Sequence, residues 1–357
     1  MGIMIRRKKL RNLMGIVKDK ASIIKAITLS TSLHATSMRV SIIRATTHDP
    51  SSPPSENRIS AVMGGGGQGS RTISSTCINT LMGRLQATRS AAVALKCLLV
   101  AHNIVSTGSF ILKDQLSFYP STGGQNFLNL SKFRDKSDND TWQMSSWVRW
   151  YAAVVEQNLM VSRVMGYYLC NNLDRNNNNN KVSALSSWEV LSEVDALLDY
   201  VECTRDAPDS FKNVTNGLIH DVLELVGKDY RLVQRELSIR VKELGDRIHG
   251  LSSGELTRFL EGLNRVEDGK ESLSSLFKKR RSDDEFWDLI SQVKMRILEI
   301  IMVKKREKET RLMITWVGGE DHVQKKSTRL SEPPQALFRL PSGGGWSSSL
   351  GLTHVIV

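Results

Sequence analysis

The spacing of apolar side chains predicts helices along most of the chain. Residues from about 6 to 28 carry apolar side chains at positions i, i+3, i+4 and i+7, the pattern of an amphipathic helix, with Lys18 and Lys25 on other faces. An apolar stripe of this kind belongs to a protein core more often than to a membrane surface, so we assign it to the core. The stripe consists of Leu10, Leu13, Met14, Val17, Ala21 and Ile24.

Later segments repeat the helical pattern, and no stretch longer than a few residues alternates as a strand does. We therefore predict an all-α protein. Helices joined by short loops over some three hundred residues favour a right-handed superhelical solenoid of stacked antiparallel helices over one compact bundle. The predicted helices include 71–85, 89–106, 142–171, 186–203, 211–249, 254–279 and 283–312.

Three segments break the helical pattern. The glycine-rich residues 63–70 lack the Gly-Lys-Ser/Thr ending of a phosphate loop and are interpreted as a connection between helices. The run Asn176 to Asn180 is predicted to be a disordered loop. From Gly318 the sequence becomes rich in Pro, Gly and Ser. We thus predict a helical domain at 6–316 and a flexible tail at 317–357.

Charge is concentrated at the amino-terminal end. The net charge is +12, and residues 1–48 hold ten Lys and Arg side chains against one acidic residue, Asp19, a local charge of +9. Such a field attracts a phosphoinositide-bearing membrane or a nucleic acid. Nucleic acid ranks second, because the chain has no aromatic-rich strand, zinc-ligand spacing or helix-turn-helix pattern.

Cysteine usage and hydropathy indicate a cytoplasmic protein that meets membranes peripherally. The four cysteines are widely separated and form no CxxC pair. The longest apolar run, Ala91 to Ala101, is interrupted by Lys96 and is too short to span a bilayer. No secretory signal is visible, and Asp19 makes a mitochondrial transit peptide the minority interpretation of the basic start.

The candidate site lies in residues 38–58, where a short basic helix ends in a proline turn. Pro50, Pro53 and Pro54 cannot continue the helix. The turn brings Arg44, His48 and Arg58 to a helix end where a phosphorylated headgroup could bind, and ordinary surface charge is the alternative. Three lysines of the first helix, Lys18, Lys20 and Lys25, complete the predicted headgroup site.

An enzyme is not indicated. His48 and His102 have no nucleophile or carboxylate at motif spacing, and His102 has no partner at metal-ligand spacing. We interpret His102 as a packed or partly exposed helix residue, and we predict no catalytic residue, metal or cofactor.

Four segments, taken in order, resemble the ANTH domain of clathrin assembly proteins, a member of the ENTH/VHS superfamily. They are RATTHDPSSPP from Arg44, ALKCLLVAHNIVSTG at 94–108, FLNLSKFRD at 127–135 and WVRWYAAVVEQ at 147–157. The proline-rich turn and short tail are similar to those of a small plant subgroup.

The resemblance implies a helical solenoid that binds phosphatidylinositol 4,5-bisphosphate and brings cargo, clathrin or both to a forming vesicle. It implies clathrin-coated pits and vesicles, the plasma membrane and the Golgi as locations. Lipid would bind within about 6–172, and a vesicular R-SNARE helix could bind the later helices at about 186–312.

This chain departs from the family pattern at the lipid site. With Pro54 as the family proline, Ser55 and Asn57 stand at the lysine positions and Arg58 at the histidine. A shift of one residue makes Arg58 the second basic residue and leaves Ile59 for the histidine. Either alignment predicts weaker, less headgroup-selective binding.

The tail lacks the motifs of longer relatives, which suggests a second hypothesis. Residues 318–357 contain no Asn-Pro-Phe, Asp-Pro-Phe or Asp-Pro-Trp and no clathrin box, so direct clathrin contact is not predicted. The alternative function is a helical scaffold that grips a SNARE or another partner helix and meets the membrane only through general electrostatic attraction.

Overall fold

A computed structural model describes residues 2–28, 32–66, 71–120, 128, 130–169, 175–209, 216–277 and 281–317. All regular secondary structure in these residues is helical, which confirms the all-α prediction. None of their helices is long and apolar enough to cross a bilayer.

Thirteen α-helices and one short 3₁₀ helix make up the described part of the chain. Helices α4, α5 and α9 begin and end within two residues of the predicted bounds, whereas α7 ends six residues before its predicted end and the predicted helix 254–279 is divided into α11 and α12. The helices are α1 (Gly2–Thr28), α2 (Leu33–Ala45), α3 (Glu56–Gly66), α4 (Arg71–Ala87), α5 (Ala91–Thr107), α6 (Phe110–Ser117), α7 (Asn139–Met165), α8 (Arg175–Ala184), α9 (Ser187–Arg205), α10 (Gly217–Asp246), the 3₁₀ helix Ile248–Gly250, α11 (Ser253–Asp268), α12 (Lys270–Leu276) and α13 (Arg281–Val317).

The chain divides into two compact units. The first is Met1–Lys305, and the second is Arg306–Val357, of which the described residues to Val317 are helical. Apart from Val317, the tail predicted at 317–357 lies outside the described residues. The division at 316/317 stays a prediction.

Helix α5 lies at the centre of the first unit because twelve of its seventeen side chains are apolar. Every residue from Ala91 to His102 is buried. Helix α5 packs on α7, which packs on α9, and α9 packs on α10 and α11. Neighbouring helices thus bury one another's apolar faces in sequence, as a stack requires.

Polar residues mark the starts of several helices. Asp138, Ser186 and Ser252 each cap a helix, and each forms a capping box with the side chain three residues later. These side chains satisfy backbone N–H groups that have no partner within the helix. The starts of α7, α9 and α11 are therefore encoded locally.

The prediction of a disordered loop at Asn176 to Asn180 is wrong. These residues belong to α8, which continues to Ala184. Asparagine is only a modest helix former. Tertiary contacts override that weak preference, because α8 packs on α10 and buries Val182.

A buried polar cluster joins α5, α7 and α10. His102 Nε2 lies 2.6 Å from Asp229 Oδ2, and His102 Nδ1 lies 2.8 Å from the hydroxyl of Tyr151. The side-chain amide of Asn158 donates to the same oxygen of Asp229. His102 is therefore packed, the first of the two predicted alternatives, and its bond to Asp229 links positions 127 residues apart.

A second buried cluster centres on Arg240 of α10, whose side chain is 1% exposed. Its Nε donates to Glu193 of α9 at 2.7 Å, and its Nη1 donates to Glu236 at 2.9 Å. Tyr167, which follows α7, accepts from Nη2 at 3.1 Å and donates to Glu236 at 2.8 Å. Two carboxylates and a phenol thus surround one guanidinium.

Candidate functional site

Helix α1 packs closely on the loop 46–55 that joins α2 to α3. Gly15 is buried at this contact, and a Cβ added there would lie only 2.8 Å from Cβ of His48. A larger residue at position 15 would push α1 away from the loop. The sequence therefore places a glycine where the two segments approach most closely.

Asp19 fixes the position of α1 on this loop. Its carboxylate accepts hydrogen bonds from the backbone N–H of His48 at 2.9 Å and from Nη2 of Arg84 at 3.1 Å, and it lies 2.7 Å from His48 Nδ1. Arg84 also donates to the carbonyl of Thr46 at 2.8 Å. Burial acts to raise the pKa of Asp19, but its bonds and charge contacts with His48 and Arg84 outweigh burial and lower it. Asp19 is therefore ionised at neutral pH.

On one side of α1 lies a groove of about 430 Å³, which we call the Arg58 groove. Two cations line it, Lys20 from α1 and Arg58 from α3, and two carboxylates offset their charge. The groove can hold an anion only where Lys20 and Arg58 face it. Its lining residues are Ile16, Asp19, Lys20, Ile23, Thr47, Asp49, Ser52 and Arg58.

Lys96 of α5 places a third positive charge next to the Arg58 groove. The residue is only 1% exposed, and its Nζ donates to Oγ1 of Thr47, a groove residue, at 3.0 Å. Burial lowers the pKa of Lys96 to about 8, although Asp49 and Asp19 act to raise it. A buried ammonium of this kind reduces stability, and such features concentrate at functional sites.

We expect Lys96→Met to stabilise the protein by about 2 kcal/mol at pH 7. Below about pH 8 both the folded and the unfolded chain hold the proton, so folding must bury a charge. Between pH 8 and the ordinary lysine value of 10.5 only the unfolded chain keeps it, so wild-type stability rises with pH. Urea unfolding should show that the difference in free energy of unfolding between Lys96→Met and wild type is smaller at pH 9.5 than at pH 7.

The control for this comparison is Lys242→Met, since Lys242 is an exposed lysine of α10. We expect its stability to stay within about 0.5 kcal/mol of wild type at both pH values. A Lys96→Met protein that is less stable than wild type at pH 7 would mean that attraction to Asp49 and Asp19 exceeds the cost of burial.

A second groove, of about 380 Å³, lies on the other side of α1. We call it the His48 groove. Two cations line it, Lys18 and Arg89, together with the imidazole of His48. Asp135 also lines it, but that carboxylate is committed to the backbone N–H of Ala91 at 2.9 Å and of Ser137 at 3.0 Å. Helix α1 therefore has a partly cationic groove along each flank.

The apolar stripe of α1 is not part of the core, so the assignment made from the sequence is wrong. Leu13 and Val17 are each 60% exposed. The buried face of α1 uses the small residues Gly15 and Ala26 instead. Large side chains on this face would hold the helix away from the loop. The large apolar side chains of α1 point outward instead. The exposed stripe consists of Leu10, Leu13, Met14, Val17, Ala21 and Ile24.

The predicted site residues separate into three sets. Lys20 and Arg58 line the Arg58 groove, and Lys18 and His48 line the His48 groove. Arg44 and Lys25 are exposed on α2 and α1, and neither lines either groove.

Sequence reasoning missed Asp19, Arg84 and Lys96 as parts of this site. Two of them carry a signal: Asp19 is the lone acidic residue among ten basic ones, and Lys96 interrupts an otherwise apolar run. A charge inside a buried helix needs a polar partner and so points to a site. Arg84 has no comparable signal.

One set of described side chains could share a metal ion: His220, Asp221 and Glu224 at the start of α10. Glu224 already pairs with Lys228 at 2.8 Å, and the imidazole of His220 is 78% exposed. These residues line neither groove beside α1, and exposed acidic groups are common without a metal. We assign no metal centre to them.

Comparison with known proteins gives a consistent result. The sequence profile of the ANTH domain matches residues 37–282. Three Arabidopsis thaliana proteins, each named putative clathrin assembly protein, are similar over most of their length. One is 40% identical and covers 79% of this chain and 80% of its own. The second is 30% identical over 79% of this chain and 84% of its own length. The third is 27% identical over 80% of this chain and 99% of its own length.

Proposed function

Because the chain belongs to the ANTH domain family, we propose that it is a clathrin adaptor that attaches peripherally to anionic, phosphoinositide-bearing membrane. The names of its relatives connect them with clathrin assembly. Clathrin-coated pits and vesicles at the plasma membrane and Golgi are the corresponding locations. No enzymatic role is proposed.

The observation that carries the proposal is the exposed apolar stripe of α1. Lys18 and Lys25 flank it on one edge and Lys20 on the other, given the 100° turn per residue of a helix. A helix with one apolar face and lysines beside it can lie in the membrane interface, with its apolar side chains among the acyl chains. The lysines then meet the anionic headgroups.

The grooves beside α1 supply the proposed headgroup contacts. Lys20 and Arg58 face one groove, with the charge of Lys96 next to it. Ser55 and Asn57 are exposed at the start of α3, where the family pattern has lysines, and they add no positive charge. We therefore propose moderate affinity with weak selection among anionic headgroups.

We expect Lys20→Ala and Arg58→Ala each to weaken vesicle binding by about fivefold. Each cation near an anionic membrane contributes about 1 kcal/mol, and the double variant should lose about thirtyfold. The measurement is co-sedimentation with vesicles that contain phosphatidylserine alone or together with phosphatidylinositol 4,5-bisphosphate.

Lys242→Ala is the matched control, because it removes one exposed charge from α10. It should bind vesicles as wild type does. Strong selection for the bisphosphate that survives the loss of both Lys20 and Arg58 would place the headgroup site elsewhere.

A partner helix is a second candidate ligand, within the proposed later part of the domain at about 186–312. Met295 and Met302 are exposed on α13 and lie seven residues apart, so they share a face. Apolar side chains at this spacing can dock against an amphipathic helix such as that of a vesicular SNARE. A pull-down with an R-SNARE helix, compared between wild type and Met295→Asp, separates this role from membrane attachment. Equal capture by both proteins would remove α13 from the binding surface.

A further inference from the structure

Ser52 lies at the edge of the Arg58 groove. It is exposed, it lines the groove with Lys20 and Arg58, and Pro53 follows it. Its hydroxyl donates to Oδ2 of Asp49. A proline at the next position restricts Ser52 to extended backbone. The side chain therefore combines accessibility with proximity to the cations of the proposed headgroup site.

The loop that carries Ser52 is held on both sides. Asp49 Oδ1 accepts from the backbone N–H of Ser51 at 3.0 Å and from its hydroxyl at 2.7 Å. Pro54 is buried, and a Cβ added at Gly217 of α10 would meet both Pro53 Cδ and the carbonyl of Ser51 at 3.4 Å. These contacts keep Ser52 beside the groove.

We propose that Ser52 is a phosphorylation site, and that its phosphate occupies the Arg58 groove and releases the protein from the membrane. The agent is an ATP-dependent protein kinase that selects serine before proline. Oγ of Ser52 forms a bond to the γ-phosphorus as the bond to the ADP oxygen breaks, and the hydroxyl proton leaves to solvent. The release step rests on the membrane attachment proposed above.

Electrostatics decides where the phosphate goes. Phosphoserine carries a charge near −2 at neutral pH and no longer donates to Asp49. Asp49 and Asp19 of the groove now repel it, while Lys20 and Arg58 attract it from the same groove. The buried charge of Lys96 adds to that attraction, since its Nζ bonds to Thr47 of the groove. Lys20 and Arg58 would then be paired with phosphoserine 52 and no longer available to a lipid phosphate.

The first experiment tests the modification itself on the full chain. A proline-directed kinase with ATP should phosphorylate Ser52 in the folded protein, as read by peptide mass spectrometry. Ser52→Ala should lose that phosphopeptide, and Pro53→Ala should reduce its yield at least about tenfold. A folded wild-type chain that stays unmodified at Ser52 while a denatured sample is modified would overturn the proposal.

The second experiment tests release. Protein with phosphoserine installed at position 52 should bind vesicles of phosphatidylserine and phosphatidylinositol 4,5-bisphosphate about tenfold to a hundredfold more weakly than unmodified protein. Phosphoserine at Ser274, an exposed residue of α12, is the matched control for added charge. An equal loss of vesicle affinity with phosphoserine at either position would mean that added negative charge alone causes release, which would contradict the proposal.

The third experiment needs no membrane, so it separates this inference from the proposed function. In a ³¹P NMR titration, phosphoserine 52 should have a lower second pKa than phosphoserine 274, because Lys20 and Arg58 stabilise the dianion. Arg58→Ala should remove much of that difference. Equal second pKa values for phosphoserine at positions 52 and 274 would show that the phosphate does not contact the cations of the Arg58 groove. If unmodified protein binds no vesicles while the lowered pKa is present, the membrane role fails and the phosphate contact stands.

Discussion

Arg240→Ala is expected to lower the free energy of unfolding by about 3–5 kcal/mol. The guanidinium is 1% exposed and bonds to Glu193, Glu236 and Tyr167. Removing it leaves Glu193 in the interior without its cation, takes from Glu236 the nearer of its two arginine contacts, and leaves a cavity besides. Urea unfolding followed by circular dichroism measures the change.

Lys228→Ala is the matched control for Arg240→Ala. Lys228 also pairs with a glutamate four residues away on α10, but both partners are about half exposed. We expect this substitution to change stability by at most about 0.5 kcal/mol. If both variants unfolded at the same urea concentration as wild type, the Arg240 cluster would contribute no net stability.

The double substitution Leu13→Asp with Val17→Asp is expected to weaken vesicle binding at least about hundredfold. In the proposed membrane-bound state both side chains leave water for the acyl region, which contributes roughly 1–2 kcal/mol each. Aspartates at these positions lose that contribution and are repelled by anionic headgroups. Co-sedimentation with anionic vesicles gives the ratio of affinities.

Urea unfolding of this double variant shows whether a loss of vesicle binding comes from a loss of structure. Leu13 and Val17 are each 60% exposed, so their replacement should change the urea midpoint little. The pair Thr257→Asp with Ser274→Asp adds the same charge at exposed positions of α11 and α12 and should bind almost as wild type. Substantial unfolding of the Leu13 and Val17 variant would instead indicate that the stripe packs against protein.

Most helices could be predicted from the sequence because their signals are local. A nearly continuous apolar run indicates α5, apolar periodicity indicates α7, and serine followed three residues later by glutamate marks the starts of α9 and α11. Helix α8 has no such signal. Its asparagines favour helix only weakly, and packing on α10 is a tertiary effect that propensity does not contain.

The sequence predicts where along the chain the candidate site lies, but not how its side chains are oriented. The basic helix and proline turn indicate where cations gather, but they do not show which face of α1 turns inward. Hydropathy alone assigns the leucines of that helix to the core. The glycine at position 15 and the bonds of Asp19 reverse this choice, because small residues allow close approach and a carboxylate attracts the loop N–H.

The cluster of His102, Tyr151, Asn158 and Asp229 bears on how this domain comes apart. Helical stacks whose repeats touch only their neighbours can lose terminal repeats one at a time. Here, separating α10 from α5 and α7 would break the bonds of Asp229 to His102 and Asn158 and leave those two buried side chains without their acceptor, a penalty for any partly open form. We therefore expect helices α5, α7 and α10 to unfold together rather than one at a time.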